Sequence, residues 1–309
     1  MNVATLSNGL IRLVVCFARS LPPSSIGGIA WIAGTVWWSV DARRRKRIAE
    51  NLRVAFGDEL TANERKQLAR QVFRNMARVP VEVLWFDRLL ASPAQVERRC
   101  VFEGSWPAPE EGPGVIAAGH LGNWEVCIRG LRHRLKRFRT VVRPVDVPAI
   151  DELVTRIRGG RDSILEKHGA SRGLMRSLAE GWWVGIASDQ NAGLDGLYLP
   201  FFGLVASQHD TPARLALREG VPLYFVSSRR LPGPEIHFTV RLDLLAHPAR
   251  RSADPEAVSG LTQAVSDHLE QLVRATPEQY NFLHRRWKDR PAGEAPGPHL
   301  PRYDHHRPR

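Results

Sequence analysis

The sequence has few cysteines, and they form no pattern. Its 309 residues include three, Cys16, Cys100 and Cys127, which are far apart and make no CxxC pair. An odd number of scattered cysteines argues against a disulfide framework, and the lack of clustered Cys and His side chains argues against a zinc site. We therefore expect a protein of a reducing, cytosol-facing environment that needs no metal.

The sequence also lacks an uninterrupted apolar run of the length that crosses a bilayer. Two arginines interrupt residues 10–21, Pro22 and Pro23 follow, and the next apolar run covers only residues 26–40. As a helix this run would reach about 22 Å, against a hydrocarbon core of about 30 Å. Because no convincing cleavage site of small residues follows it, we expect a retained segment that is too short to span a membrane comfortably.

The composition of this segment is nevertheless typical of a membrane surface. Trp31, Trp37 and Trp38 are of a type that favours the level of the lipid headgroups, and five basic residues follow at 43–47. We interpret residues 1–45 as a hydrophobic and basic membrane-associating segment, either monotopic or a single N-terminal anchor. The alternative is a buried amphipathic helix with a solvated basic face.

Acidic residues are in the minority, with 32 Asp and Glu against 44 Lys and Arg, so the formal net charge is +12. This balance implies an acidic partner, which could be nucleic acid, an anionic membrane surface or a phosphorylated substrate. The sequence has no helix-turn-helix, zinc-finger or aromatic RNA-binding pattern, so we expect no nucleic-acid partner. A hydrophobic content of 43% is enough for a large core and excludes disorder of the whole chain.

Helical patterns come first along the chain. Apolar residues recur at helical spacing from Ile48 and end at Gly57, a residue suited to the C-terminal end of a helix. Thr61 and Glu64 form a capping box that predicts the start of a second helix, and Pro80 is expected to perturb it. These patterns predict a helical region at residues 46–92 that packs on the core.

Strand-like and helical patterns alternate after this region, which predicts an α/β domain with a mainly parallel central sheet flanked by helices. We place this domain at residues 93–290 and a disordered, proline-rich tail at residues 291–309, with a solvated His305–His306 pair. The predicted strands are residues 99–103, 114–118, 140–143, 182–188, 221–227 and 236–242; the predicted helices are residues 124–135, 149–157, 172–180, 211–218 and 255–274.

The most informative stretch is residues 114–125, where a strand-like run ends in a turn and a helix begins. His120 stands at the exit of the strand, where α/β folds place their sites, and Glu125 lies five positions further on. Histidine is suited to proton transfer near neutral pH, although a His and a Glu at this spacing also occur by chance. The pair can act together only if His120 precedes the helix, because helical residues five apart differ by about 140° around the axis.

Further motifs, in one order and spacing, carry a resemblance to a known family. They lie at residues 51–56 (NLRVAF), 119–125 (GHLGNWE), 142–144 (VRP), 188–190 (SDQ), 200–203 (PFFG), 277–280 (PEQY) and 284–288 (HRRWK). Together they resemble the lipid A late acyltransferases, the lauroyl and myristoyl transferases of the lysophospholipid acyltransferase superfamily. The superfamily signature is a His, four residues, then Asp or Glu, and Glu125 with Asn123 and Trp124 before it is similar to the lipid A branch.

The resemblance implies a glycerol-phosphate acyltransferase-like fold and an O-acyltransferase at the cytoplasmic side of the cell inner membrane. Its donor would be acyl carrier protein, its acceptor a hydroxyl of a glycolipid, most naturally a lipid A precursor, and it would need no cofactor beyond the acyl donor. Two alternatives stay open. The acceptor could be another lipid, such as a lysophospholipid or a phosphatidylinositol mannoside, or the protein could be a non-catalytic basic membrane-binding protein.

Roles for the central residues follow from the chemistry of acyl transfer. His120 would remove the proton of the attacking hydroxyl, and Glu125 would hold the other ring nitrogen and stabilise the imidazolium. The backbone amides around Gly122 and Asn123, at a helix start, would stabilise the oxyanion. Since no Ser or Cys lies in a nucleophile elbow, direct attack without an acyl-enzyme is the simpler mechanism.

Polar residues at the ends of other predicted strands are candidate substrate contacts. Arg143 would bind a phosphate of the acceptor or help the oxyanion, and the resemblance also implies a functional arginine there. Asp189, beside Gln190, would orient a substrate or support the wall of the site. The plainer interpretations are a surface ion pair for Arg143 and a turn-capping role for Asp189.

Two later motifs have a functional and a structural interpretation. Arg285, with Arg286 and Lys288, would meet the acidic carrier protein or the lipid phosphates, unless it simply ends a solvated basic helix. Phe201 and Phe202 could line an acyl channel, although paired aromatic residues more often belong to the core.

Overall fold

The computed structural model describes residues 17, 20–108, 111–144, 148–166, 170–233, 235–248, 251–294, 297, 298 and 300–302. The predictions for Cys16, for nearly all of residues 1–19 and for the His305–His306 pair lie outside the described residues. The domain boundaries drawn at residues 45, 92 and 290 stay a prediction.

Helices come first along the described chain, as the sequence patterns predict. Those before the first strand are α1 (Ile26–Val40), α2 (Ala42–Phe56), α3 (Ala62–Val83), α4 (Phe86–Leu89) and α5 (Pro93–Arg99). Those that follow are α6 (Trp124–Leu135), α7 (Pro148–Ile157), α8 (Ala170–Ala179), α9 (Thr211–Glu219) and α10 (Pro255–Ala275).

The start of α3 confirms the capping-box prediction. The Thr61 hydroxyl accepts a hydrogen bond from the Glu64 amide at 3.3 Å, and the Glu64 carboxylate accepts one from the Thr61 amide at 2.8 Å. Two amides of the first turn are thereby satisfied, which fixes the residue at which the helix begins. Pro80 lies inside α3, and the helix continues past it to Val83.

A mainly parallel sheet forms the centre of the molecule. The strands are β1 (Cys100–Gly104), β2 (Val115–Ala118), β3 (Phe138–Val142), β4 (Ile164–Glu166), β5 (Trp183–Ala187), β8 (Leu223–Arg230) and β9 (Phe238–Ala246). They lie in the order β1, β9, β8, β2, β5, β3, β4, and every neighbouring pair is parallel except β8 and β9. The predicted α/β class is therefore confirmed.

Strand β4 and a small hairpin were not predicted. β4 has three residues, too few to show a period, and the hairpin pairs β6 (Leu197–Phe201) with β7 (Leu204–Gln208). Its two-residue loop is Phe202–Gly203, with φ angles of 51° and 71°. Two-residue hairpin loops favour residues with a positive φ angle. Glycine adopts such an angle readily, whereas Phe rarely does. Because Phe is unusual at this position, the sequence patterns did not indicate the turn.

Both faces of the sheet are covered, as parallel sheets require. Along β2, Val115 and Ala117 face one apolar cluster and Ile116 faces the other. The first cluster includes the apolar faces of α2 and α3, so the N-terminal helices belong to the core. Trp37 and Trp38 both contact Phe73 of α3 edge to face, with ring centroids 5.1 and 5.2 Å apart.

Helix α1 has one buried face and one exposed apolar face. Ile26, Ala30 and Gly34 are buried, and a Cβ at Gly34 would lie 2.7 Å from the Cα of Arg74, so α1 and α3 approach closely there. On the other face, Trp31 and Val36 are more than half exposed, at 53% and 56%. None of the described helices has both the length and the hydropathy that crossing a membrane requires.

The described part of the predicted tail contacts α2. The Arg53 guanidinium donates hydrogen bonds to the carbonyls of Pro298 at 3.1 Å and Leu300 at 2.7 Å. Leu300 is buried. Pro298 and Leu300 therefore lie against the domain.

Candidate active site

His120 lies in the turn between β2 and α6, where the sequence analysis requires it. β2 ends at Ala118 and α6 begins at Trp124, so His120 is not helical. This turn lies at the carboxyl edge of the parallel strands, beside the end of the neighbouring strand β5. The side chain is 21% exposed, so it is accessible from the surface of the molecule.

Asp189 is the carboxylate that holds the His120 ring. Its Oδ1 lies 2.7 Å from His120 Nδ1, and its Oδ2 accepts a hydrogen bond from the His120 backbone amide at 2.8 Å. Asp189 follows the end of β5, and β5 pairs with β2, so the sheet order brings the two residues together. Both carboxylate oxygens are engaged by one residue, which fixes the ring orientation.

The pKa values of the pair shift in opposite directions. Burial opposes ionisation of Asp189, but the charge of His120 and its hydrogen bonds outweigh burial and lower the pKa of the carboxyl to about 2. Burial opposes protonation of His120, but the charge and the hydrogen bond of Asp189 raise the pKa of the imidazole above 6.5. Each group thus stabilises the charged form of the other.

Glu125 does not occupy the position predicted for it. Its two carboxylate oxygens accept hydrogen bonds from Arg158 at 2.9 and 2.6 Å, and the side chain is almost fully buried. The prediction that Glu125 holds the second ring nitrogen of His120 is wrong, because Asp189 bonds Nδ1. Glu125 acts on His120 only through its charge, which helps to raise the pKa of the imidazole.

The backbone amides at the start of α6 are already in use. The Gly122 amide donates to the carbonyl of Gln279 at 3.0 Å, and the Asn123 amide donates to the Ser228 hydroxyl at 3.0 Å. The predicted oxyanion role of these amides is therefore wrong in this geometry, since neither has a hydrogen left to donate. Gly122 has a φ of 64°, and a Cβ there would lie 2.0 Å from the Ser228 carbonyl oxygen. Glycine is required at this position.

Asn123 is a structural residue and not a substrate contact. It is fully buried, its side-chain oxygen accepts from the Glu125 amide at 3.1 Å, and its side-chain nitrogen donates to Glu82 at 2.9 Å. It caps α6 in the way Asn commonly caps a helix. The substrate-binding role predicted for Asn123 is therefore wrong, because both ends of its amide bond the protein.

A buried ion-pair network supports this turn, and it is not predicted from the sequence. Glu82 of α3 is fully buried and accepts hydrogen bonds from Arg230 of β8 at 2.5 and 2.7 Å and from Arg78 at 2.9 Å. Arg230 in turn donates to Asn75 at 2.8 Å. Because the partners come from α3, β8 and the start of α6, no local pattern in the sequence could connect them.

The segment after α10 closes the other side of the turn. Leu121 and Tyr280 form an antiparallel bridge, and the Asn281 amide donates to the His120 carbonyl at 3.0 Å. Tyr280 is buried, and burial together with the charge of Asp189 raises the pKa of its hydroxyl well above 10. His120 is thus held through its main chain as well as its ring, and its ring lies edge to face against Trp124 at 4.9 Å.

Gln190 and His284 lie beside the pair. Gln190 is half-buried, and its carbonyl accepts a hydrogen bond from Arg286 at 2.9 Å. The Nε2 atom of His284 accepts one from the Asn191 amide at 2.9 Å. Burial lowers the pKa of His284 to about 4, so this imidazole is neutral and carries its hydrogen on Nδ1.

The basic residues that were predicted to bind substrate or carrier differ in their exposure to solvent. Arg143 is exposed just beyond β3, which pairs with β5, so it lies at the same edge of the sheet as Asp189. Arg285 is half-buried. Arg286 is buried, donates to the carbonyl of Ser207 at 2.7 Å and to the side chain of Gln208 at 2.6 Å, and cannot meet a carrier protein or a lipid.

The aromatic pair at residues 201 and 202 belongs to the core. Phe201 and Phe202 are buried, and the Phe201 ring lies 5.9 Å from that of Trp287. Within the part of the chain that the structure describes, no cluster of three or more His, Cys, Asp or Glu side chains is placed to hold a metal ion.

The chain with this geometry matches the sequence model of a known protein family. The model of the bacterial lipid A biosynthesis acyltransferase family matches residues 2–289. The chain belongs to this family. The match covers the N-terminal helices, the whole sheet and the segment that closes the His120 turn, so the lipid A acyltransferase family accounts for nearly the entire chain.

Three lipid A biosynthesis acyltransferases are similar in sequence to this chain, and one solved structure aligns with it at a low score. The chain is 27% identical to the lipid A biosynthesis lauroyltransferase of Escherichia coli K12 over 81% of each chain, and 26% identical to the palmitoleoyltransferase of that organism over 82% of each. It is 23% identical to a lipid A biosynthesis acyltransferase of Haemophilus influenzae, over 92% of this chain and 90% of that protein. A 1-acyl-sn-glycerophosphate acyltransferase of Thermotoga maritima aligns at 13% identity with a TM-score of 0.38, over 81% of this chain and 97% of that one.

Proposed function

We propose that this member of the lipid A acyltransferase family transfers a fatty acyl chain from acyl carrier protein to a hydroxyl of a lipid A precursor. The observation that carries the proposal is the His120–Asp189 pair at the carboxyl edge of the sheet, with a 2.7 Å contact on Nδ1. With Nδ1 bonded to a carboxylate, the hydrogen of the neutral ring stays on Nδ1 and Nε2 is the basic nitrogen.

The proposed reaction is a direct acyl transfer. His120 Nε2 takes the proton of the acceptor hydroxyl as its oxygen attacks the thioester carbonyl, and the tetrahedral intermediate then expels the carrier thiolate, which takes the proton back. Asp189 remains ionised throughout, because its pKa is about 2, and it stabilises the imidazolium. A positioned base of this kind contributes about 10²–10⁴-fold to a rate.

An acyl-enzyme intermediate is disfavoured on the two cysteines that the structure describes. Cys100 and Cys127 are both buried, and burial raises the pKa of each thiol to about 12. A thiol with that pKa is almost entirely protonated at neutral pH and makes a poor nucleophile. The attacking group is therefore the acceptor hydroxyl itself, with no cofactor beyond the acyl donor.

The acceptor is anionic in this proposal. Arg143 lies at the same sheet edge as Asp189, and a guanidinium suits bidentate binding of phosphate. Arg285 and Gln190 are the other accessible polar groups that we assign to substrate binding. The relatives are named for lipid A biosynthesis, which supports this acceptor over a lysophospholipid or a phosphatidylinositol mannoside.

We assign the protein to the cytoplasmic side of the inner membrane, held by the exposed apolar face of α1. Trp31, Ile32, Val36 and Val40 form this face. Arginines lie next to it, with the Arg74 guanidinium 5.3 Å from the centre of the Trp31 ring. Apolar side chains beside cations suit the interface of an anionic bilayer, which favours a monotopic attachment.

The test is a transfer assay with purified protein. Acyl carrier proteins of several chain lengths are combined with lipid A precursors and with the alternative lipids, and the product masses are read. The wild type should acylate a lipid A precursor, and His120→Ala should lose turnover by about 10²–10⁴-fold while still binding vesicles. Carrier hydrolysis alone with every acceptor, or normal transfer by His120→Ala, would reject the proposal and favour a non-catalytic membrane-binding protein.

A further inference from the structure

A groove between α2 and α3 lies outside the candidate active site. Its volume is about 410 Å³, and Trp38 and four alanines line much of it. Ala42 and Ala49 of α2 are seven positions apart, as are Ala62 and Ala69 of α3. Residues at this spacing lie on one side of a helix across two turns, so each wall presents small side chains along a length of about 10 Å.

Cations border the same groove. Arg45 and Lys46 lie between the alanines of α2, and Arg65 and Lys66 lie at the matching positions between the alanines of α3. Among the described residues that line the groove, none is acidic. The groove therefore combines an apolar floor with positive charge on both walls.

The arginines are held by the main chain, whereas the lysines are exposed. Arg45 donates a hydrogen bond to the carbonyl of Ser39 at 2.9 Å, and Arg65 donates one to that of Gly57 at 2.6 Å. Lys46 and Lys66 are exposed on the two walls. The two fixed guanidiniums set a permanent positive field, and the flexible ammonium groups are available to pair with carboxylates of a partner.

The shape favours a single helix as the occupant. An α-helix presents a ridge of side chains that can enter a concave groove, whereas a bilayer surface has no such ridge. Apolar residues on one face of such a helix would contact the alanines and Trp38, and carboxylates on its flanks would meet the lysines.

Helix α2 also connects the groove to the site. Arg47 donates to the carbonyl of Leu283 at 3.1 Å, and Asn51 donates to the carbonyls of Phe282 and His284 at 2.7 Å. The same segment bonds the carbonyl of His120 through Asn281. A protein seated in the groove is thus docked against the helix that braces the His120 turn.

We infer that the groove between α2 and α3 seats an acidic amphipathic helix of the acyl carrier protein. The inference rests on the proposed function, because it names the docking surface of the acyl donor. It moves the carrier contact away from Arg286, which is buried, to a surface on the N-terminal helices.

The experiment compares two charge-reversal variants of the full chain. Lys46→Glu/Lys66→Glu changes the groove, and Arg98→Glu/Lys136→Glu, at exposed positions elsewhere, makes the same change in net charge. The groove variant should raise the KM for acyl carrier protein by about tenfold, with kcat at saturating carrier and the rate with a carrier-free acyl-pantetheine thioester unchanged. The control variant should change the KM by less than about twofold.

A second variant tests shape without charge. Ala49→Trp fills the groove from an exposed position of α2, and it should raise the same KM while leaving the thermal midpoint and the carrier-free rate unchanged. An unchanged KM in both groove variants would overturn the inference. Loss of binding to anionic vesicles with an unchanged KM would also overturn it, by assigning the groove to lipid headgroups.

A direct binding measurement distinguishes failure of this inference from failure of the proposed function. The affinity of fluorescently labelled acyl carrier protein for each variant is measured by anisotropy, without any acceptor lipid. If the wild type binds the carrier but transfers no acyl chain, the proposed reaction fails. The anisotropy of the variants then still tests whether the carrier binds in the groove. If the wild type does not bind the carrier, the groove inference fails whatever reaction the enzyme performs.

Discussion

The chemistry of His120 depends on which nitrogen carries the hydrogen, and Asp189 decides that. With Nδ1 bonded at 2.7 Å and the backbone amide at 2.8 Å, the carboxylate fixes both the ring and the main chain of His120. The sequence predicts Asp189 as a substrate-orienting or wall residue and Glu125 as the carboxylate that orients the imidazole. At the scale of single residues, the main correction from the structure is that Asp189, and not Glu125, bonds the imidazole ring of His120.

Asp189→Asn should remove most of the catalytic advantage of the pair. An amide cannot stabilise the imidazolium and favours the wrong tautomer, so kcat should fall by about 10²–10⁴-fold with little change in KM. Because Asp189 raises the pKa of His120, the rise of kcat/KM with pH should also move to lower pH in the variant. The measurement is a pH profile of kcat/KM. An unchanged profile would contradict the assigned role.

Glu125→Gln should act mainly on stability. It removes one charge of a nearly buried ion pair and leaves Arg158 unpaired, which costs about 3 kcal/mol in the free energy of unfolding. The double variant Glu125→Gln/Arg158→Met should be less unstable than the sum of the single changes, in a double-mutant cycle by denaturant unfolding. A loss of kcat equal to that of Asp189→Asn, with unchanged stability, would restore Glu125 to the orienting role.

At the scale of elements, the turn between β2 and α6 is fixed by partners from three directions. Asn123 bonds Ser228 of β8 and Glu82 of α3, and the segment after α10 bonds Gly122 and the His120 carbonyl. Specific groups of the protein satisfy the ends of these elements, so the position of His120 is set by packing of the whole region.

Gly122→Ala should disrupt this turn. The new Cβ would lie 2.0 Å from a backbone carbonyl oxygen at a residue with a φ of 64°, so the chain must move, at a cost of about 1–3 kcal/mol in the free energy of unfolding and with loss of kcat. The control is Gly260→Ala inside α10, where nothing lies within 4 Å of the new Cβ. That change should stabilise the protein by about 0.5–1 kcal/mol, so equal effects of the two variants would contradict the prediction.

At the scale of the whole molecule, half of the exposed large apolar side chains that the structure describes lie on α1, and a basic run follows that helix. Trp31, Ile32, Val36 and Val40 are exposed on α1, and the basic run at residues 43–47 begins just after it. The same helices pack on the core through their other faces. In the proposed attachment, a membrane would therefore contact helices that pack directly on the core.

Replacing this surface should weaken membrane binding without changing the fold. The variant Trp31→Ser/Ile32→Ser/Val36→Ser should bind anionic vesicles at least about tenfold more weakly, because burial of each apolar side chain contributes roughly 1–3 kcal/mol. The control is Val101→Ser/Leu194→Ser, which removes exposed apolar residues elsewhere. Vesicle sedimentation at low and high salt measures both, and equal binding of the two variants would exclude α1 as the docking face.

Much of the fold follows from local patterns. Helix α6 matches its predicted bounds, and α9 and α10 each differ from the prediction by a single residue at the end. Apolar periodicity and capping depend on residues within a few turns of one another, so the sequence alone indicates them. The hairpin of β6 and β7 was not predicted, because its loop contains Phe202, a residue type that rarely adopts a positive φ, and neither was the three-residue strand β4.

The sequence by itself determined the α/β class, the helical start and the position of His120 in a turn at the end of a strand. Only the tertiary structure decided which side chains meet there. Asp189 lies 69 positions from His120, and Arg158 lies 33 positions from Glu125. Strand order and buried ion pairs join residues that are far apart in the chain, and no local pattern records which carboxylate the sheet brings to the histidine.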